Sequence, residues 1–89
     1  MREILLGTNR LLDPEGGPLT CRYHIVVHTL PPPLACESYG LHIIRLETGE
    51  EAAVPDLTVQ WARIEPLAAA ILRGCVTPCA LREVVEDWL

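Results

Sequence analysis

Apolar and polar positions alternate with a period of two from Leu19 to Leu30. Leu19, Cys21, Tyr23, Ile25 and Val27 fall on one side, and Thr20, Arg22, His24, Val26 and His28 on the other. Successive strand side chains point to opposite faces, so this run predicts a strand with one apolar and one mixed face. YGLHIIRLE, 39–47, repeats the pattern, with Tyr39, Leu41 and Ile43 sharing a face. Between them, PPPLACES at 31–38 cannot continue a ladder, because proline lacks the N–H, and reads as an extended loop. EILLGTNRLL, 3–12, fits strand or helix by pattern alone. Gly7 argues against helix, and the DPEGGP turn at 13–18 makes the pair a hairpin. TGEE at 48–51 turns the chain again, and AAVPD predicts a short fourth strand.

The period then changes. Trp61, Ile64, Ala68, Ile71 and Cys75 recur at three- and four-residue intervals, one face of a helix. Thr58 is the expected N-cap and Gly74 the expected stop. Pro66 predicts either a kink near 62–66 or a helix that starts at Glu65-Pro66. Thr77-Pro78 opens a second helix, with Leu81, Val84, Val85 and Trp88 as its stripe. A short connection predicts antiparallel helices, with Leu81 by Ile71, Val85 by Ala68 or Ile64, and Trp88 by Trp61.

The expected fold is therefore α+β, one domain over 1–89. A three- to four-stranded antiparallel meander (1–57) carries a C-terminal antiparallel helical hairpin (58–89) packed on one face. A chain of 89 residues can close one small core but not a large ligand cavity.

Composition narrows the functions. The net charge of −5 makes free nucleic acid and anionic membranes poor partners. All seven basic residues are arginine, so lysine-based chemistry is excluded. There is no long apolar run and no leader-like start, so a cytoplasmic location is expected, with Cys21, Cys36, Cys75 and Cys79 reduced.

Four groups invite chemistry. Cys75 and Cys79 flank a helix corner. A thiol in a first helical turn has a lowered pKa, so the pair offers a metal- or redox-sensing alternative. The spacing is not the usual zinc knuckle, and small apolar thiols also pack well at a corner. His24 and His28 share a strand face but lie ~13 Å apart, too far to hold one ion. His42 stands opposite one or the other, depending on register, which allows an incomplete two-histidine site. The last helix carries Glu83, Glu86 and Asp87 against Arg82, which repels phosphates and disfavours DNA binding. Acid–base catalysis by those carboxylates also needs a pocket, and 89 residues offer little room for one. No cofactor is expected, and the chain is read as a non-enzyme.

The order of these elements resembles a family of small uncharacterised bacterial proteins, mostly from spore-forming Gram-positive lineages, numbered six thousand five hundred and fourteen in the series of domains of unknown function. The likeness is carried by Tyr39, Gly40 and Leu41, by Asp56, Leu57 and Thr58 at a helix start, and by Thr77, Pro78, Leu81, Val85, Glu86, Asp87 and Trp88. It covers roughly residues 19–89. It departs from the family at Cys79, where a histidine is usual, and in the proline-rich loop. The resemblance implies the fold and assigns no activity.

The expected function is a non-enzymatic interaction or regulatory module. Its working surface is the second sheet face with His24, Val26, His28, Ile44 and Leu46, which is apolar enough to want a cover. The partner is an unidentified protein or a second copy, in a homodimer.

Overall fold

The computed structural model describes residues 1–89. Four strands, β1 (Arg2–Leu12), β2 (Pro18–Thr29), β3 (Glu37–Arg45) and β4 (Glu51–Thr58), form one antiparallel sheet in the order β1-β2-β3-β4. Two helices follow, α1 (Trp61–Arg73) and α2 (Leu81–Trp88). The α+β meander is thus four-stranded, and the ambiguous 3–12 segment is a strand.

The period-two pattern sets the layers. Cys21, Tyr23, Ile25 and Val27 of β2 and Leu41 and Ile43 of β3 point to one side, where they are buried with Ile64, Leu67, Ala68, Ile71, Leu81 and Val85 from the helices. Burying each large side chain there contributes about 1.5–3 kcal/mol, the main driving term for this fold. Buried residues of both helices thus join one cluster with those of β2 and β3.

Turn chemistry holds the register. The Asp13 carboxylate accepts hydrogen bonds from the Glu15 and Gly17 amides at 3.0 and 2.7 Å, and closes the β1–β2 hairpin around Gly16. The Leu30 amide donates to Cys36 O at 2.8 Å and ties the proline loop shut. Near its end β4 bulges. Tyr39 pairs with Thr58 and Leu41 with Val54, so three residues of β4 lie opposite Gly40. A Cβ at Gly40 would lie 2.3 Å from Val54 O and 2.5 Å from Pro55 Cα, so only glycine lets β4 approach this closely.

Several boundaries differ from the sequence reading. Thr58 ends β4 instead of capping a helix; its Oγ1 accepts from the Gln60 amide at 3.1 Å in a local turn. The division at 57/58 therefore moves to the 58–61 turn. The Asp56-Leu57-Thr58 segment is the end of the bulged strand, with Asp56 at φ +55°. Helix α1 starts at Trp61 and runs through Pro66, because Gln60 O accepts from the Arg63 and Ile64 amides and secures the first turn ahead of the proline. Thr77-Pro78 opens a single 3-10 turn, Pro78–Ala80, before α2 begins at Leu81.

The two tryptophans find different partners. Trp61 packs edge-on against Tyr39 at 5.3 Å, whereas the Arg63 guanidinium lies over the Trp88 ring at 4.7 Å. The end of the helical pair is joined by a cation–π contact between α1 and α2.

The α1 stop also shifts by one residue. Gly74 keeps a right-handed conformation (φ −78°), and Cys75 takes the left-handed one (φ +51°). The Cys75 amide donates to Leu72 O and the Val76 amide to Ile71 O, the paired bonds of a Schellman ending. Long-range groups complete it. Asn9 Nδ2 donates to Leu72 O, and the Tyr23 hydroxyl donates to Val76 O at 2.8 Å.

Candidate functional site

The same alternation that buries Tyr23 and Ile43 turns His24 and His42 to the opposite, helix-free face. Register sets His24 directly across from His42, with ring centroids 5.5 Å apart and an interplanar angle of 24°. His28 sits farther along β2, opposite Ser38.

Two carboxylates from the outer strands complete the row. Glu3 pairs with Val26 on β1–β2, and so shares the face with His24. Across from Val26 stands Gly40, so no β3 side chain blocks Glu3 from reaching over to His42. Glu3 Oε1 lies 2.7 Å from His42 Nδ1 and 3.7 Å from His24 Nδ1. On the other side, Glu51 Oε2 lies 3.0 Å from His42 Nε2. Four strands thus supply one side chain each to a line Glu3–His24–His42–Glu51. The line borders a shallow depression lined by Met1, Val26, Ala53 and Pro55.

The electrostatics separate the two imidazoles. Burial disfavours charge on both. For His24 nothing outweighs it: the pull of Glu3 is opposed by His42 and Arg22, and the pKa is lowered. For His42 the hydrogen bonds to Glu3 and Glu51 overcome burial, and the pKa is raised. His24 Nδ1 is buried with no hydrogen-bond partner. The donor set Glu3, His24, His42 brings one carboxylate oxygen and two imidazole nitrogens within 4.8 Å of one another. That is the chemistry of a borderline-soft divalent ion.

A second pair lies along the same face. His28 Nδ1 is 3.1 Å from Asp56 Oδ1, which the bulge and left-handed backbone of β4 bring under β2. The Ser38 hydroxyl first, and His28 second, hold the Asp56 carboxyl below its usual range.

Of the residues read as an interaction face, His24, Val26, His28 and Ile44 share the helix-free side. Leu46 lies just past the end of β3, with its amide bonded to Thr20 O at 2.9 Å. Val26 is only 5% exposed and Leu46 keeps 43%, while β1 adds more exposed apolar surface, with Leu5 at 57% and Leu12 at 73%.

The thiols are not brought together. All four cysteines are free, and Cys75 and Cys79 are not within bonding distance. Cys75 Sγ accepts from Asn9 Nδ2 at 3.4 Å, and Cys79 Sγ faces Thr77 Oγ1 at 3.3 Å. Cys75 owes its position to the left-handed end of α1.

Sequence reasoning reached the two histidines and missed both carboxylates. The available signal was the parity of Glu3 and Glu51 on the two outer strands, which becomes usable only with the register in hand.

A model of a family of unknown function, DUF6514, matches residues 2–89, and the chain belongs to that family. No curated protein and no solved structure matches the chain. No helix is long and apolar enough to cross a membrane.

Proposed function

We propose that this family member is a non-enzymatic interaction module that acts in the cytoplasm, and that its first partner is a second copy of itself. The observation that carries this reading is the exposed edge of β1. It is an eleven-residue outer strand whose second side has no strand partner, with Leu5 and Leu12 open to solvent. Such an edge is a template for another strand. The other edge is blunted by Pro55 and by the bulge at Asp56. One open and one blocked edge favour a closed two-fold pair over a filament. β1 carries Arg2, Glu3 and Arg10, so charges of both signs meet at the seam despite the net −5.

The non-enzymatic reading is supported by the depression on the helix-free face, which is too open to exclude water from a reaction. Four unpaired thiols suit a reducing compartment.

Sedimentation velocity of the tag-free protein tests the pairing. A dimer that Thr8→Lys with Leu12→Lys converts to a folded monomer is the expected result. A wild-type chain that stays monomeric at every concentration overturns it.

A further inference from the structure

We propose that Glu3, His24 and His42 are the protein ligands of a divalent transition-metal site, with zinc as the fitting ion and Glu51 as the carboxylate that orients His42. The site does not rest on self-pairing, since all four residues belong to one chain.

The separations suit the ion. Tetrahedral zinc holds its nitrogen and oxygen ligands at about 2.0–2.2 Å, which sets neighbouring ligand atoms roughly 3.3 Å apart. Glu3 Oε1 is 3.7 Å from His24 Nδ1 and 2.7 Å from His42 Nδ1, so the two edges to the carboxylate straddle that value. All three donor atoms lie within 4.8 Å of one another, and rotation of the exposed glutamate and the two half-buried rings would close them on an ion. The three ligands come from three adjacent strands, held by continuous pairing through His24 and His42.

Two features set this group apart from an ordinary surface ion cluster. First, His24 Nδ1 is buried and has no hydrogen-bond partner. A buried polar atom left unpaired is costly, and in the tautomer protonated at Nε2 it is a bare lone pair directed at the group. A cation gives it the missing partner. Second, the far nitrogen of His42, Nε2, is held by Glu51 at 3.0 Å. A ligating histidine commonly donates its other N–H to a carboxylate, which fixes the ring and makes the ligand more basic.

Without metal, His42 Nδ1 and Glu3 Oε1 face each other at hydrogen-bond distance across the position. An ion at Nδ1 needs that nitrogen unprotonated, and Glu51 is placed to accept from Nε2–H in the same tautomer. Three protein ligands leave a fourth tetrahedral position for water or a partner's side chain. The ion also crosslinks the outer strand β1 to the centre of the sheet, so loading stiffens the β1 end.

The test is titration calorimetry of chelator-stripped full-length protein with zinc alone at neutral pH, alongside NMR of the histidine side chains. One zinc per chain is expected, with the imidazole signals of His24 and His42 shifting and those of His28 unmoved. His24→Gln and Glu3→Gln abolish that binding, Glu51→Gln weakens it about 10- to 100-fold, and Cys75→Ser with Cys79→Ser leaves it unchanged. Absence of zinc uptake by the wild type overturns the site, as does uptake that follows the cysteines or shifts His28 equally. The NMR readout uses only wild-type protein, so a variant that fails to fold does not blunt the test.

Discussion

His24 and His42 stand face to face across β2 and β3, yet their surroundings drive their proton affinities apart. The first proton goes to His42, where Glu3 and Glu51 overcome burial. At His24 burial first, with His42 and Arg22, outweighs the pull of Glu3 and holds the pKa below its usual value. NMR titration of the metal-free protein is expected to show His42 titrating above 6.5 and His24 below it. The linkage signs are opposite. The raised His42 contributes stability that is present below pH 6.5 and lost as pH rises through its folded value. The lowered His24 contributes stability that is present above pH 6.5 and lost as pH falls toward its folded value. His42→Gln therefore removes the loss on the alkaline side and leaves the loss on the acid side. Identical titration of both rings would contradict this arrangement.

At Gly40 the backbone of β4 lies directly against β3. Gly40→Ala places a methyl group against Val54 O and Pro55 Cα, backbone atoms that no side-chain rotation can relieve. A loss of about 3 kcal/mol is expected in urea unfolding, accompanied by disruption of the His28–Asp56 contact. A near-neutral effect would mean that the β4 bulge lies elsewhere.

Tyr23 joins the sheet to the corner between the helices through its bond to Val76 O. Burial first, with the neighbouring Cys21 next, pushes its phenol up to about 12. Spectrophotometric titration should show one tyrosine ionising near that value. Tyr23→Phe leaves the Val76 carbonyl without its donor and costs about 1–2 kcal/mol in thermal or urea unfolding. An unchanged midpoint would refute the bond.

Cys75 carries a left-handed backbone that glycine adopts without strain. Cys75→Gly is expected to gain about 1 kcal/mol, reduced by loss of the Asn9 contact at 3.4 Å. A clear loss of stability would show that the thiol contributes more than its place in the turn.

Much of this protein was legible along the chain. The period-two runs at 19–30 and 39–47 identified the buried face down to Tyr23, Ile25, Leu41 and Ile43, because alternation is a local property of a strand. The helical stripe through Ile64, Ala68, Ile71, Leu81 and Val85 was legible for the same reason. Boundaries were less so. Thr58 and Gly74 are residues that cap helices in general, but tertiary pairing kept Thr58 in β4, and the Schellman bonds moved the left-handed role to Cys75.

The site belongs to the tertiary structure. Glu3 and His42 are 39 residues apart, and nothing local relates them. Their meeting depends on the β2–β3 register that sets His24 against His42, on Gly40 leaving the path clear, and on β1 and β4 bringing a carboxylate to each side. A one-residue slip in any of these pairings would send the side chains to the other face, into the core. The sequence alone determined which residues seek the interior; the pairing of four strands decided which polar ones meet on the outside.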